Sequence, residues 1–176
     1  MNLLFINLVK YNADQFSAKV RQVASDLGID PDWLMMCMYI ESGLNSQAQN
    51  RYSNATGLIQ FMPSTAAALG TSTADLLAMS NVEQMDYVYQ YLRSYQWKML
   101  SFVDVYFAIF FPAAMGKADD WVLQTSHLSA GLIAGQNSGY DLDGNNEITV
   151  GEVKQVILSK VPDSVQEEFQ KKTSFQ

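Results

Sequence analysis

Apolar residues recur at three- and four-residue intervals along most of this chain. No stretch alternates apolar with polar long enough to read as a strand, so the pattern predicts helices. Over residues 12–27 the apolar positions are Phe16, Val20, Val23, Ala24 and Leu27. Asn12 and Gln15 make a capping-box pattern at the start, and Gly28 suits the left-handed position that closes a helix. A second helix starts at Asp30 with Pro31 in its first position, and Ile29 and Leu34 are spaced as a hydrophobic staple. Residues 34–40 are apolar on every side, the mark of a central, buried helix. Glu41 falls in the last turn of that helix, and Gly43 ends it.

Residues 45–57 read as a polar loop. Short helices follow over residues 64–69, closed by Gly70, and over residues 73–79. Asn81 and Gln84 repeat the capping-box pattern and open a long helix over residues 81–99, with Met85, Val88, Tyr89, Leu92, Tyr95 and Met99 on its stripe. Ser101 and Asp104 mark a further start, and residues 105–111 read as a second deeply buried helix. Asp119 or Asp120 is placed to cap a turn through Trp121 and Leu123. Gly131, Gly135 and Gly139 weaken a helix over residues 126–139. Residues 150–160 are helical, Pro162 interrupts, and residues 164–172 read as a short polar helix or a frayed tail. The expected class is all-α, with residues 1–176 as one domain.

Composition narrows the function. The chain has 176 residues, long enough to build a core without disulfide or metal, and its single Cys excludes an internal disulfide. The net charge of −7 argues against nucleic acid, which needs basic patches, and is mildly unfavourable for an anionic wall polymer. No stretch approaches the ~20 apolar residues of a membrane span. Residues 1–9 lack the basic start and small-residue cleavage site of a signal peptide and read as structure.

Glu41 carries the candidate chemistry. A helix C-terminus bears partial negative charge, and burial disfavours ionisation, so both effects raise a carboxyl pKa there. Such a carboxyl, kept neutral at neutral pH, can protonate a glycosidic oxygen. Most glycosidases pair the acid with a second carboxylate. No other Asp or Glu lies in the surrounding motif, and Asp86 and Asp104, the nearest later ones, read as helix-surface and capping residues.

Glu41-Ser42-Gly43-Leu44-Asn45 is followed by Gly57-Leu58-Ile59-Gln60-Phe61-Met62-Pro63-Ser64-Thr65-Ala66. These two blocks, in this order, resemble the lytic transglycosylase family, relatives of goose-type lysozyme, whose pattern is E-S-G-x-N and then G-L-x-Q-x-M-P-x-T-A. The resemblance covers residues 30–115 at the level of motifs. It implies a lysozyme-like helical fold and cleavage of the MurNAc–GlcNAc β-1,4 bond in a peptidoglycan glycan strand, by a lytic transglycosylase or muramidase. Glu41 matches the acid/base, and the chemistry needs no cofactor. Ser42, Asn50, Gly57, Ile59, Gln60 and Met62 fall along the implied substrate groove, with Asn50 where relatives often carry Ser. The family's later A-Y-N-A-G block is replaced by Val105-Tyr106-Phe107-Ala108-Ile109-Phe110-Phe111-Pro112-Ala113-Ala114. Either Tyr106 supplies the hydroxyl found near the family's Glu, or that role is absent and Phe110 or Phe111 stands in its place. One carboxyl suffices if the substrate's acetamido group assists and the same Glu then takes a proton from the C6 hydroxyl, giving a 1,6-anhydro product; hydrolysis uses the same groups. The rival reading is a catalytically inactive lysozyme-like module that binds glycan or serves structurally, favoured by the loss of A-Y-N-A-G. With no signal peptide, the expected setting is a phage lysin or virion-associated protein, monomeric, acting on the bacterial cell wall.

Residues 141–152 form a separate motif that fits an EF-hand-like calcium loop. Asp141, Asp143 and Asn145 stand at the first, third and fifth places, Ile148 at the eighth and Glu152 at the twelfth. With the Glu147 carbonyl these supply most of the oxygens that Ca2+ needs. Asn146 replaces the usual Gly at the sixth place and tolerates the left-handed conformation. The bland alternative is a polar turn between helices. His127 is alone, too little for a zinc site, and Cys37 in an apolar helix reads as a buried thiol.

Overall fold

The computed structural model describes residues 2–170. It is helical, and among the described residues β pairing is limited to the isolated bridges Gln49–Thr56, Thr56–Phe61 and Val122–Thr149. The chain divides into two compact units, Met1–Trp97 and Lys98–Gln176. No helix of the described residues is long and apolar enough to cross a membrane.

In the first unit α1 (Ala13–Leu27) packs against α2 (Pro31–Ser42) and α5 (Asn81–Leu92), with the short α3 (Pro63–Ala68) and α4 (Thr73–Ala78) between them in sequence. The stripe Phe16, Val20, Val23, Ala24 and Leu27 is buried, as the spacing predicts. Burial of such side chains stabilises by about 1.5–3 kcal/mol each for the larger ones. Asn12, however, does not cap α1. Its backbone is left-handed (φ 56°), not the extended conformation a capping side chain needs, and it makes no cap hydrogen bond.

The central helix α2 follows expectation closely. Asp30 accepts from the Asp32 N–H at 2.8 Å, Pro31 occupies the first position, and Trp33 through Met38 are buried. Gly43 closes it at φ 62°. The start of α5 is shifted by one residue from the expected cap. Ser80 and Glu83 form the capping box, because a Glu carboxylate at the positive end of a helix outcompetes the Asn81–Gln84 pair. Asn81 and Gln84 turn inward and are buried. The helix also stops sooner than expected. After Leu92 the chain tightens into a 3₁₀ stretch, Arg93–Lys98, fastened where Gln96 Nε2 donates to the Asp26 carbonyl near the end of α1 at 2.9 Å.

The second unit is built on α6 (Phe102–Phe110), α7 (Ala130–Gln136), α8 (Val150–Ser159) and α9 (Gln166–Gln170). Ser101 caps α6, and Phe102 meets Phe169 edge-on at 5.0 Å. The turn expected near residue 120 forms at Asp119–Asp120, closed by Trp121 N–H donating to the Ala118 carbonyl at 3.1 Å, but the chain from Trp121 to Leu123 leaves it and bridges to the start of α8. Leu123 N–H donates to the Ile148 carbonyl at 2.8 Å, and Val150 N–H to that of Trp121 at 3.0 Å. Despite its glycines, residues 130–136 form α7, capped by Ser129 and carrying buried Ile133 and Ala134. Of the polar helix expected over 164–172, α9 is described, while residues 171 and 172 lie outside the described residues.

Candidate active site

Glu41 sits in the last turn of α2, half-buried, with Ser42 after it. The chain reverses at once: Gly43 N–H donates to the Tyr39 carbonyl at 2.9 Å and Leu44 N–H to that of Met38 at 3.3 Å. Leu44 is buried and left-handed (φ 61°), a conformation that costs a non-glycine residue about 1–2 kcal/mol. That strain beside a half-buried carboxyl is the kind of local cost that clusters at functional sites.

The second block folds into a tight turn. Thr56 and Phe61 exchange both backbone bonds at 3.0 and 2.8 Å, and Gly57 at φ 80° and Gln60 at φ 53° make the reversal between them. Gln60 Nε2 donates to the Gly57 carbonyl at 3.1 Å and reaches that of Ala48 at 3.4 Å, so this side chain stitches the turn to the preceding loop. The Ser42 hydroxyl joins the two blocks. Its one proton is shared between the Met38 carbonyl at 3.0 Å, within α2, and the Leu58 carbonyl at 2.9 Å, in the turn.

Beneath this junction lies Gln84, fully buried. Its Oε1 accepts from Leu58 N–H at 3.0 Å, and its Nε2 donates to the carbonyls of Ser46 at 2.7 Å and Leu76 at 2.6 Å. A Cβ on Gly57 would lie 2.5 Å from Gln84 Oε1. The local pattern at Gln84 predicts a cap residue, whereas the folded chain makes it a buried bracket. The signal was present, since Gln84 precedes Val88 and Leu92 by four and eight residues and so lies on the buried stripe of α5.

The other implied groove residues take varied positions. Met62 is 45% exposed beside the turn, a side chain open to a ligand. Ile59 and Gly57 are buried, so they shape the turn. Asn50 is exposed and closes its own turn, its Oδ1 accepting from Tyr52 N–H at 2.9 Å and Ser53 N–H at 3.2 Å. Tyr106 belongs to the second unit. It is 1% exposed, its hydroxyl pairs with that of Tyr140, and Phe110 lies against both rings at 5.8 and 4.9 Å. A cleft of about 480 Å³ in the first unit borders the segment after Glu41, lined by Asn45 and Gln47 together with Tyr11 and Met79, but Glu41 does not line it.

The two later carboxylates take the surface and capping positions that the sequence predicts for them. Asp86 pairs with Lys19 at 2.6 Å on the outer face of α5, and Asp104 caps α6, accepting from Ser101 Oγ at 2.8 Å and Leu100 N–H at 3.1 Å. Burial pushes the Cys37 thiol up, and the charge of Glu41, one turn on, adds to it. A thiol so held is a poor nucleophile.

In the second unit residues 141–152 make a compact loop. A carboxylate oxygen from each of Asp141, Asp143 and Glu152 lies within 4.8 Å of the others. Asn146 is left-handed (φ 65°), as its place in the loop predicts. Asp141 accepts from Gly144 N–H at 2.9 Å and Asn146 N–H at 3.1 Å, and Asn145 Oδ1 from Glu147 N–H at 2.8 Å. Glu152 closes the loop and caps α8 with Thr149. Burial alone would raise its pKa, but hydrogen bonds from Thr149, Leu142 and Asp143 together outweigh burial and lower it.

Residues 19–97 match the family model described as Transglycosylase SLT domain. The match takes in Glu41, the turn at 56–61 and Gln84, and it ends at Trp97, the last residue of the first unit. Enzymes of that family cleave peptidoglycan, and residues 19–97, within the first unit, are similar to their lysozyme-like SLT domain. No curated protein matches the chain.

Proposed function

We propose that this protein cleaves the MurNAc–GlcNAc β-1,4 bond of peptidoglycan with Glu41 as its acid/base. The observation that carries the reading is the seating of Glu41, a half-buried carboxyl at the C-terminus of α2, keyed by Ser42 to the turn at 56–61 inside the matched SLT domain. In the proposed reaction the protonated Glu41 gives its proton to the glycosidic oxygen as the C1–O bond breaks and GlcNAc leaves as an alcohol. The MurNAc acetamido oxygen supports C1 meanwhile. The Glu41 carboxylate then removes the proton of the C6 hydroxyl, whose oxygen closes on C1 to give the 1,6-anhydro sugar. Water in place of the C6 hydroxyl gives the hydrolytic product. Met62 and the backbone of the turn border the glycan in this reading.

Glu41→Gln, incubated with purified sacculi, is expected to release less than a few per cent of the parent's soluble muropeptides, because an amide cannot donate the proton, and to keep the parent's circular dichroism. Mass spectrometry of the parent's products decides the outcome at C1, since an anhydro end is lighter by one water than a reducing end. Lysis by Glu41→Gln near the parent rate would remove Glu41 from the role. Absence of lysis from parent and variant alike would instead favour a glycan-binding module, the reading that the Val105–Ala114 replacement supports.

We also propose that residues 141–152 hold a structural Ca2+ through Asp141, Asp143, Asn145, the Glu147 carbonyl and Glu152. Oxygen donors at these spacings, the left-handed Asn146 and three clustered carboxylates support this reading.

A further inference from the structure

We propose that Gln84 is a positioning residue for Glu41, acting through Leu58 and Ser42; this rests on the reading of Glu41 as the acid/base. Both polar groups of the Leu58 backbone are taken by side chains. Its N–H donates to Gln84 Oε1 at 3.0 Å, and its carbonyl accepts from Ser42 Oγ at 2.9 Å. Ser42 is the residue after Glu41, so one hydrogen-bonded chain runs from the α5 amide through the turn to the end of α2. The same amide holds the other side of the site: Gln84 Nε2 donates to the Ser46 carbonyl, in the segment that leads away from Glu41. The two motif blocks are thus indexed to a single buried group that lies in neither.

No other uncharged side chain of this length does the same work. The position needs one acceptor for Leu58 N–H and two donors, for the Ser46 and Leu76 carbonyls, on a planar end. Glu lacks the donors, Met lacks all three, and Asn is one methylene short. Gly57 completes the fit, because a Cβ there would meet Gln84 Oε1 at 2.5 Å. The amide can lie against the turn only where the turn has no side chain. Misplacement of a catalytic group by about 1 Å can cost about 10²-fold in rate, so loosening this chain reaches turnover without touching the substrate.

The test compares Gln84→Met, Ser42→Ala and the double variant on soluble, uncross-linked glycan strands, well below each melting temperature. Gln84→Met is expected to lower kcat per folded molecule at least about tenfold with KM within about twofold. The double variant should be little slower than the slower single one, because both substitutions cut the same chain. Amide hydrogen exchange at Leu58 should quicken at least about tenfold in Gln84→Met while the α1 core is unchanged. Should Gln84→Met not fold, Gln84→Asn takes its place with the same expectations. A folded variant with parental kcat, losses that multiply independently, or an unchanged Leu58 exchange rate overturns the proposal. If the parent itself cleaves no glycan, the reading of Glu41 fails, while exchange at Leu58 still decides whether Gln84 holds the turn.

Discussion

Gly57 is constrained twice, by its own backbone and by a neighbour. Its φ of 80° lies where an L side chain is strained, and a Cβ would sit 2.5 Å from Gln84 Oε1, an atom held by Leu58 N–H. The first effect costs about 1–2 kcal/mol. The second cannot be relieved by a small rotamer change, because Gln84 is pinned at three points inside the unit. Gly57→Ala is therefore expected to lose at least about 2 kcal/mol, or roughly 4–8 °C of melting temperature at ~2–4 °C per kcal/mol. Denaturant titration checks this, and stability within about 0.5 kcal/mol of the parent, the range of an ordinary surface change, would show that the turn absorbs the methyl group freely.

At the scale of elements, caps divide into those that a sequence pattern predicts and those set by competition. The Thr149–Glu152 box serves two elements at once, starting α8 and closing the acidic loop. The folded-state pKa of Glu152 lies below its ordinary value. A group of this kind contributes stability that is present above the unfolded pKa of about 4.3 and is lost as pH falls from there through the folded pKa. Glu152→Gln should be less stable than the parent at neutral pH, and the gap should narrow as pH drops below about 4.3. Thermal melts across pH 3 to 7 read this directly, and a gap that holds constant or widens in acid would count against it. The α1 start shows the converse case. Asn12 had the residue type for a cap but entered left-handed, so its side chain caps nothing.

For the whole molecule, acidity is the dominant global property, with a net charge of −7. Part of it is concentrated in the loop at 141–152, where three carboxylates repel one another without a cation. If Ca2+ binds there, it stabilises the folded state by RT ln(1 + [L]/Kd), about 2.7 kcal/mol at a hundredfold excess over Kd. That corresponds to a melting temperature raised by roughly 5–10 °C for a chain of this size. Asp141→Ala with Asp143→Ala should abolish the rise and leave wall cleavage measurable at low temperature. A melting temperature indifferent to EGTA and to millimolar calcium would mark the loop as a polar turn.

What the sequence by itself determined is what depends on short-range pattern. The buried α2, its Asp30–Pro31 start and its Gly43 stop follow from periodicity and from residues with narrow backbone preferences. The all-helical class and the location of Glu41 at a helix end follow in the same way, and so does the left-handed Asn146. Tertiary structure decided what depends on partners distant in sequence. Gln84 looked like a cap because its local pattern fits one; it is a buried bracket because Ser46, Leu58 and Leu76 bring two carbonyls and an N–H to one place. The early end of α5 has no Gly or Pro to announce it and comes with the Gln96 bond to the Asp26 carbonyl, seventy residues away. The helix at 130–136 forms although Gly131 and Gly135 disfavour it, because Ile133 and Ala134 find a core to enter. Local propensities amount to tenths of a kcal/mol per residue, whereas a buried side chain or a satisfied buried amide is worth about one or more, so where the two disagree, packing wins.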